Sequence, residues 1–294
     1  MYDNIKIGIL GGDLRQAALA RRLSSLGIEI AVWGLPAGAD IGGAVRSVAW
    51  EDVLTGSKAV ILPLPISKDG VRLYAERELR LLHLLDALPA DVLVLGGKVD
   101  ASTRLAAAEN NIPLLDYFDC EELQIRNAVP TAEGAIEIAM RELPITLAGS
   151  RVLVLGYGRI GKVLLSALKG LNARVRVAAR RPDDIAYITV NGGEAVRFCS
   201  ADFEKIASES DVVFNTVPAK ILSKNVLETL GECKLIVDLA SGKGGTDFEA
   251  AESLGIKAVH ALSLPGKVAP ATAGDILCDC ILGLLAREGV IAWA

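Results

Sequence analysis

Gly156, Gly158 and Gly161 stand in a G-x-G-x-x-G spacing directly after the apolar run Val152–Leu155. A buried strand running into such a turn and then into a helix is built to hold phosphate. The first glycine permits the tight turn, the second lets the backbone approach a pyrophosphate, and the third brings the helix onto the strand. The N–H groups at the helix start face the anion, with the positive end of the helix dipole behind them. Arg159 and Ile160 occupy the variable positions of the turn. The chemistry this predicts is dinucleotide binding, through Gly156, Gly158, Arg159, Ile160 and Gly161.

Two further segments refine that expectation. The apolar run ending at Ala179 leads into Arg180-Arg181-Pro182, with no carboxylate at the strand tip. An acidic residue there would bind the ribose hydroxyls of NAD, whereas an arginine accommodates the 2′-phosphate of NADP. One charge-assisted bond to phosphate contributes about 1.5–3 kcal/mol. Arg180 and Arg181 therefore point to NADP, with Asp183 and Asp184 just beyond as the opposing feature. Thr216, Val217 and Pro218 follow another apolar run, at the carboxyl end where open α/β sheets bind ligands.

Near the start, Gly11-Gly12-Asp13-Leu14-Arg15-Gln16 imitates a second phosphate turn but lacks the third glycine, and Asp13 would repel an anion. Its polar cluster is better suited to a small anionic substrate. Arg15 can form a bidentate pair with a carboxylate, with Gly12 and Gln16 beside it, and replacing Arg15 with Ala is then expected to weaken substrate binding without loss of fold; the plainer alternative is that Asp13 caps the helix and Arg15 is solvated. Lys98, Lys243 and Lys267 lie in glycine-rich loops after apolar runs and add cations. His83, among leucines, and His260, at a strand end, read as structural. No Ser/His/Asp order, zinc spacing or carboxylate pair stands out.

Positioning these residues requires an alternating architecture. Apolar runs at 5–10, 28–33, 59–64, 91–95 and 113–115 alternate with helical patterns at 14–26, 71–85 and 102–109, and runs at 151–155, 174–179, 212–216, 235–239 and 257–261 repeat the rhythm. This predicts an α/β fold of two Rossmann-like, doubly wound parallel-sheet domains with an inter-domain cleft. The expected division is 1–126 for a substrate-side domain, 127–148 for a connecting helix opened by Pro130 and Thr131, 149–270 for the NADP-binding domain, and 271–294 for a last helix returning to the first domain. A chain of 294 residues accommodates both domains. A net charge of −5 leaves no footprint for nucleic acid. The most apolar stretch, Ile276 to Trp293, is interrupted by Asp279, Arg287 and Glu288, which argues against a membrane span. Cys120, Cys199, Cys233, Cys278 and Cys280 are odd in number without a C-x-x-C. With no signal-peptide pattern, they predict reduced thiols in the cytoplasm.

Taken in order, Gly11–Gln16, Asn127-Ala128-Val129-Pro130-Thr131-Ala132-Glu133-Gly134, the Gly156–Gly161 turn, Asn215–Pro218, Asp238–Ser241, Gly244–Phe248 and Leu264-Pro265-Gly266-Lys267-Val268-Ala269-Pro270-Ala271-Thr272-Ala273-Gly274 resemble the dipicolinate synthase A-subunits along essentially the whole chain. The chain departs from that pattern at Gly242-Lys243, where the family has a basic residue followed by Pro. The resemblance implies an NADP-dependent oxidation of a dihydrodipicolinate-type intermediate of the lysine pathway, or its hydroxylated precursor, to pyridine-2,6-dicarboxylate. It places the reaction in the cytoplasm of the mother cell of a sporulating bacterium. It also implies a flavoprotein-like partner, the dipicolinate synthase B-subunit, and an oligomeric assembly. Under this reading Arg15 and Lys267 hold the carboxylates of a small dicarboxylate substrate, and Asp13, Thr131 or Glu133 manages a proton. The alternatives are a two-domain dehydrogenase of the shikimate, alanine or 2-hydroxyacid type, and a nucleotide-binding regulatory subunit without chemistry of its own.

Overall fold

The structure is a computed structural model that describes residues 5–198 and 200–292, so Cys199 and Trp293 lie outside the described residues. The chain divides into two compact units. One combines the chain up to Asn127 with the segment from Ala269 onward, and the other is Ala128–Val268.

The first unit runs β1 (Lys6–Leu10), α1 (Leu14–Ser25), β2 (Glu29–Trp33), β3 (Val45–Arg46), α2 (Glu51–Leu54), β4 (Ala59–Ile61), α3 (Leu81–Ala87), β5 (Leu93–Gly96), α4 (Ala101–Glu109) and β6 (Leu114–Asp116), then enters α5 (Glu121–Glu142). Its sheet has the order β3-β2-β1-β4-β5-β6, parallel throughout. Successive side chains of a strand point to opposite faces. Ile7, Ile9, Ile30 and Val32 therefore fill one core, and Leu10, Ala31, Trp33 and Val60 fill the other.

The second unit takes the last part of α5 and continues through β7 (Arg151–Leu155), α6 (Arg159–Gly170), β8 (Arg174–Ala179), α7 (Pro182–Val190), β9 (Glu194–Arg197), α8 (Ala201–Glu209), β10 (Val212–Asn215), α9 (Lys224–Leu227), β11 (Leu235–Asp238), α10 (Phe248–Ser253), β12 (Lys257–His260) and α11 (Leu264–Val268). Its parallel sheet has the order β12-β11-β10-β7-β8-β9. Both sheets follow the Rossmann pattern, in which the strand order reverses beside the first strand and leaves a crevice beyond the carboxyl ends. The final helix, α12 (Pro270–Arg287), belongs to the first unit, where Ile276, Leu277, Ile281, Leu284 and Leu285 enter the core beneath α1. The approach to α1 is close: a Cβ on Gly274 would lie 2.5 Å from Ala18 Cβ and 2.8 Å from the Arg15 carbonyl oxygen.

Two local expectations require correction. The helix expected over 71–85 begins only at Leu81. The preceding segment is drawn into tertiary hydrogen bonds instead, with Tyr74 N–H donating to Ile66 O and Glu76 N–H to Gly34 O, and Leu73 and Leu79 are both buried. Pro130 does not open a helix; it sits inside the 22-residue α5, so Thr131 and Glu133 are mid-helix residues. The edge strands β3 and β9 have mixed composition and gave no apolar run. Among the described residues, no helix is long and apolar enough to cross a membrane.

At the amino ends of the second sheet, Asp211 accepts from the Arg151 N–H and Nη2, each at 2.8 Å, and lies 3.6 Å from Lys234 Nζ. The Arg151 hydrogen bond is the main reason its carboxyl is held down at about 2, from an ordinary 3.8. A depressed carboxyl contributes stability that is full above the unfolded value and lost as pH falls through the folded one. We expect Asp211→Asn to cost about 1–2 kcal/mol at neutral pH, allowing for solvent screening of the partly exposed Arg151. In urea unfolding followed by circular dichroism, the gap to the parent should close between pH 4 and pH 2.

Candidate functional site

The two units begin alike, each with a strand, a glycine turn and a helix, and they treat the helix start in opposite ways. In the second unit Gly156 takes φ +95°, and its N–H donates to Ala178 O at 2.9 Å. Gly161 must lack a side chain, since a Cβ there would lie 2.2 Å from Gly156 O. Gly158 differs from both. Its φ of −79° suits any residue, and a Cβ on it would meet nothing within 4 Å. Among the described residues nothing requires a glycine at 158, and the space above it is open. Gly158 is also the N-cap of α6, with no side-chain cap bond. The helix start is thus left without an acceptor from a capping side chain, which is the arrangement that receives an anion.

Beside this turn, Thr216 and Val217 close over Gly156. Thr216 Oγ1 donates to Leu155 O at 2.8 Å, and Val217 Cγ2 lies 2.9 Å from where a Cβ of Gly156 would be. These residues therefore wall the crevice, and the Thr216 hydroxyl proton is engaged by the strand. At the end of β8, Ala179 is buried and Arg180 and Arg181 are exposed. Arg181 pairs with Asp183 at 3.3 Å and lies 3.9 Å from Asp184. Arg180 has no such partner among the described residues, so of the two it is the uncommitted cation.

In the first unit the corresponding turn is filled by the chain. Gly12 N–H donates to Tyr74 O at 2.7 Å, and a Cβ on Gly12 would collide with the Gln16 side chain. Asp13 caps α1 by accepting from the Arg15 N–H, and Gln16 Oε1 accepts from the Asp13 N–H, which completes a capping box. Arg15 is buried. Its Nε and Nη2 grip Asp13 at 2.9 and 2.7 Å, and Nη2 also donates to Leu64 O at 2.5 Å. Burial works against its charge, but the Asp13 pair outweighs it and holds the Arg15 pKa above the ordinary value. The carboxylate that Arg15 binds is thus that of Asp13. Tyr117 closes the same crevice, buried with its hydroxyl donating to Leu62 O at 2.9 Å, and burial drives its pKa up. Tyr117 was not read from the sequence. Its only signal was Gly97, where a Cβ would lie 2.5 Å from the phenol ring.

The remaining candidates are divided between the units. Asp13 belongs to one, Thr131 and Glu133 to the other. Glu133 edges an open groove with Ala167 and Leu171, at the far end of α6 from the glycine turn. Lys98, Lys243 and Lys267 are exposed without ion pairs among the described residues, and the last two follow the neighbouring strands β11 and β12. His83 packs edge-on against Trp50, and His260 Nε2 lies 3.1 Å from Ala240 O.

Comparison with known proteins places these features. Residues 6–118 match the model of the dipicolinate synthase A-subunit N-terminal domain, and residues 126–244 that of the NAD-binding domain of D-isomer specific 2-hydroxyacid dehydrogenases. The dipicolinate synthase A-subunit of Bacillus subtilis is 36% identical over 98% of each chain. The chain belongs to the dipicolinate synthase A-subunit family. The crystal structure of the Bacillus halodurans family member superposes with a TM-score of 0.88 at 31% identity, covering 97% of this chain and 99% of that one. The Bacillus subtilis A-chain structure gives 0.86 at 34%, covering 99% and 98%. Like those relatives, the chain has the two Rossmann-like units, and the second carries a dehydrogenase-type NAD-binding domain. The open space over Gly158 and the uncapped α6 fit a nicotinamide dinucleotide, whereas the filled turn at Gly12 does not.

Two substitutions separate these roles. Gly158→Ala is expected to lower the melting temperature by no more than about 3 °C, the cost of alanine at an N-cap, while weakening dinucleotide binding about tenfold or more, as read by calorimetric titration. Arg15→Ala leaves the Asp13 carboxylate and the Leu64 carbonyl without their partner. It should therefore cost about 3 kcal/mol in chemical denaturation.

Proposed function

We propose that this chain oxidises a dihydrodipicolinate-type lysine-pathway intermediate to dipicolinate with NADP as acceptor. It works with a second, flavoprotein-like subunit in the cytoplasm of the mother cell of a sporulating bacterium, as part of an oligomeric assembly. The observation that carries the reading is the α6 start, an anion turn with open space over Gly158 and no side-chain cap, in a member of the dipicolinate synthase A-subunit family.

When bound, the dinucleotide supplies a hydride acceptor. The dihydropyridine substrate gives up one hydride and one proton and becomes aromatic, so much of the driving force resides in the product. The work left for the protein is orientation of the reacting carbon, with modest acid–base help. Lys267, exposed and without an ion pair among the described residues, is the cation assigned to a substrate carboxylate. Arg15 acts by fixing Asp13 at the head of α1. Proton transfer falls to Asp13 or Thr131. Glu133 is the weaker candidate because it opens onto the far end of α6.

Arg180 is assigned to the 2′-phosphate, because Arg181 is already paired with Asp183. Arg180→Ala should raise the Michaelis constant for NADP⁺ about tenfold while leaving that for NAD⁺ within about twofold. The overall reading is tested by incubating the purified chain with NADP⁺ and freshly generated substrate, with and without the second subunit. NADPH formation by the chain alone excludes a purely regulatory role, and no NADPH under either condition overturns the proposal.

A further inference from the structure

Asp238, the last residue of β11, is fully buried, and its carboxylate is where two loops of the second unit meet. One oxygen accepts from the Ala240 N–H at 2.9 Å and from Asn215 Nδ2 at 3.1 Å. The other accepts from the Gly245 N–H at 2.8 Å and from Thr246 Oγ1 at 2.6 Å. Asn215 ends β10 and is itself fully buried. Its Oδ1 accepts from the Val217 N–H at 3.0 Å. The two loops lie flush: a Cβ on Gly245 would come within 2.3 Å of Asn215 Nδ2 and 2.6 Å of Val217 O. They are tied once more at Leu222, whose N–H donates to Gly245 O at 3.0 Å and whose carbonyl accepts from Asp247 N–H at 2.9 Å.

The loops after β10 and β11 thus form one block, knotted at a single carboxylate. The outer edge of that block is Val217, which lies against Gly156, the first glycine of the phosphate turn. β7 and β10 are adjacent at the point where strand order reverses, so a dinucleotide bound in the crevice has the α6 start and the β8 tip on one side. Those elements serve its pyrophosphate and its adenosine half, and the β10–β11 block faces what remains.

We propose that Asp238 is a positioning residue for the nicotinamide half of the bound dinucleotide, acting through Asn215 and Val217. The proposal rests on the dinucleotide reading above. The bonds of Asp238 run to the β10 and β11 loops and not to α6 or the end of β8, so its influence is confined to one half of the ligand.

The test compares ligand halves in Asp238→Asn. An amide offers one acceptor oxygen, so whichever way it turns, two of the four donors lose their acceptor. Affinities for 2′,5′-ADP and 5′-AMP are measured beside those for NADPH and NADH. The adenosine halves should bind the variant within about twofold of the parent, while the intact dinucleotide is weakened about tenfold or more. Thr246→Val keeps the carboxylate and removes one donor, and should shift the dinucleotide in the same direction by less; if Asp238→Asn does not fold, this variant decides by the same split. An unchanged dinucleotide affinity, or an equal loss for both ligand classes, overturns the proposal. A parent protein that binds neither an adenosine half nor a dinucleotide overturns the underlying dinucleotide reading instead.

Discussion

The N–H groups in the first turn of an α-helix have no partner within the helix and must find acceptors elsewhere. That requirement decides what each half of this molecule can do. In the first unit the chain meets it: Asp13 accepts from the Arg15 N–H within a capping box, and the Arg15 side chain locks the cap to the loop after β4. In the second unit no side chain caps α6, and the space before it is open. Two sheets of the same strand order therefore differ at the one place where an α/β fold holds a ligand. The difference comes from a few polar side chains, not from topology.

The same contrast explains the unequal use of glycine. Gly12 and Gly161 are required by neighbouring atoms of the chain, whereas Gly158 is not. A glycine that the fold does not need, at the mouth of a helix, marks where something other than protein belongs. Around it the second unit is stiff. Thr216 is bonded to β7, and the loops beyond β10 and β11 share buried acceptors. A dinucleotide entering this crevice meets walls already set, which lowers the ordering cost of binding.

Much of this was legible in the sequence because parallel strands covered on both faces are continuous apolar runs. Val152–Leu155 and Val212–Phe214 needed no context to be placed. The glycine turn was equally plain, since its spacing is itself the mechanism. What stayed hidden depended on partners distant in the chain. Leu73 and Leu79 suit a helix as well as they suit two buried positions on a folded loop, and only the bonds to Ile66 and Gly34 choose between them. Pro130 looks like a helix start because its missing N–H is harmless there, yet α5 runs straight through it. Arg15 advertised a carboxylate partner correctly, but its neighbour two residues away was already that partner.

The C-terminal helix α12 fills the core beneath α1 with Ile276, Leu277, Ile281, Leu284 and Leu285, and so ties the assembly of the first unit to the order of synthesis. On the ribosome, the β1–β6 segment emerges with one face of its sheet covered by α1 but still lacking α12, while the whole of Ala128–Val268 is still to be made. At ordinary elongation rates of about 5–20 residues per second, that interval lasts on the order of ten seconds or more. The second unit can close first, inserted between the two pieces of a unit that started earlier. The nascent first half is thus a long-lived client for any chaperone that recognises uncovered aliphatic surface, and a nonsense mutation within α12 would cripple the part of the molecule translated earliest.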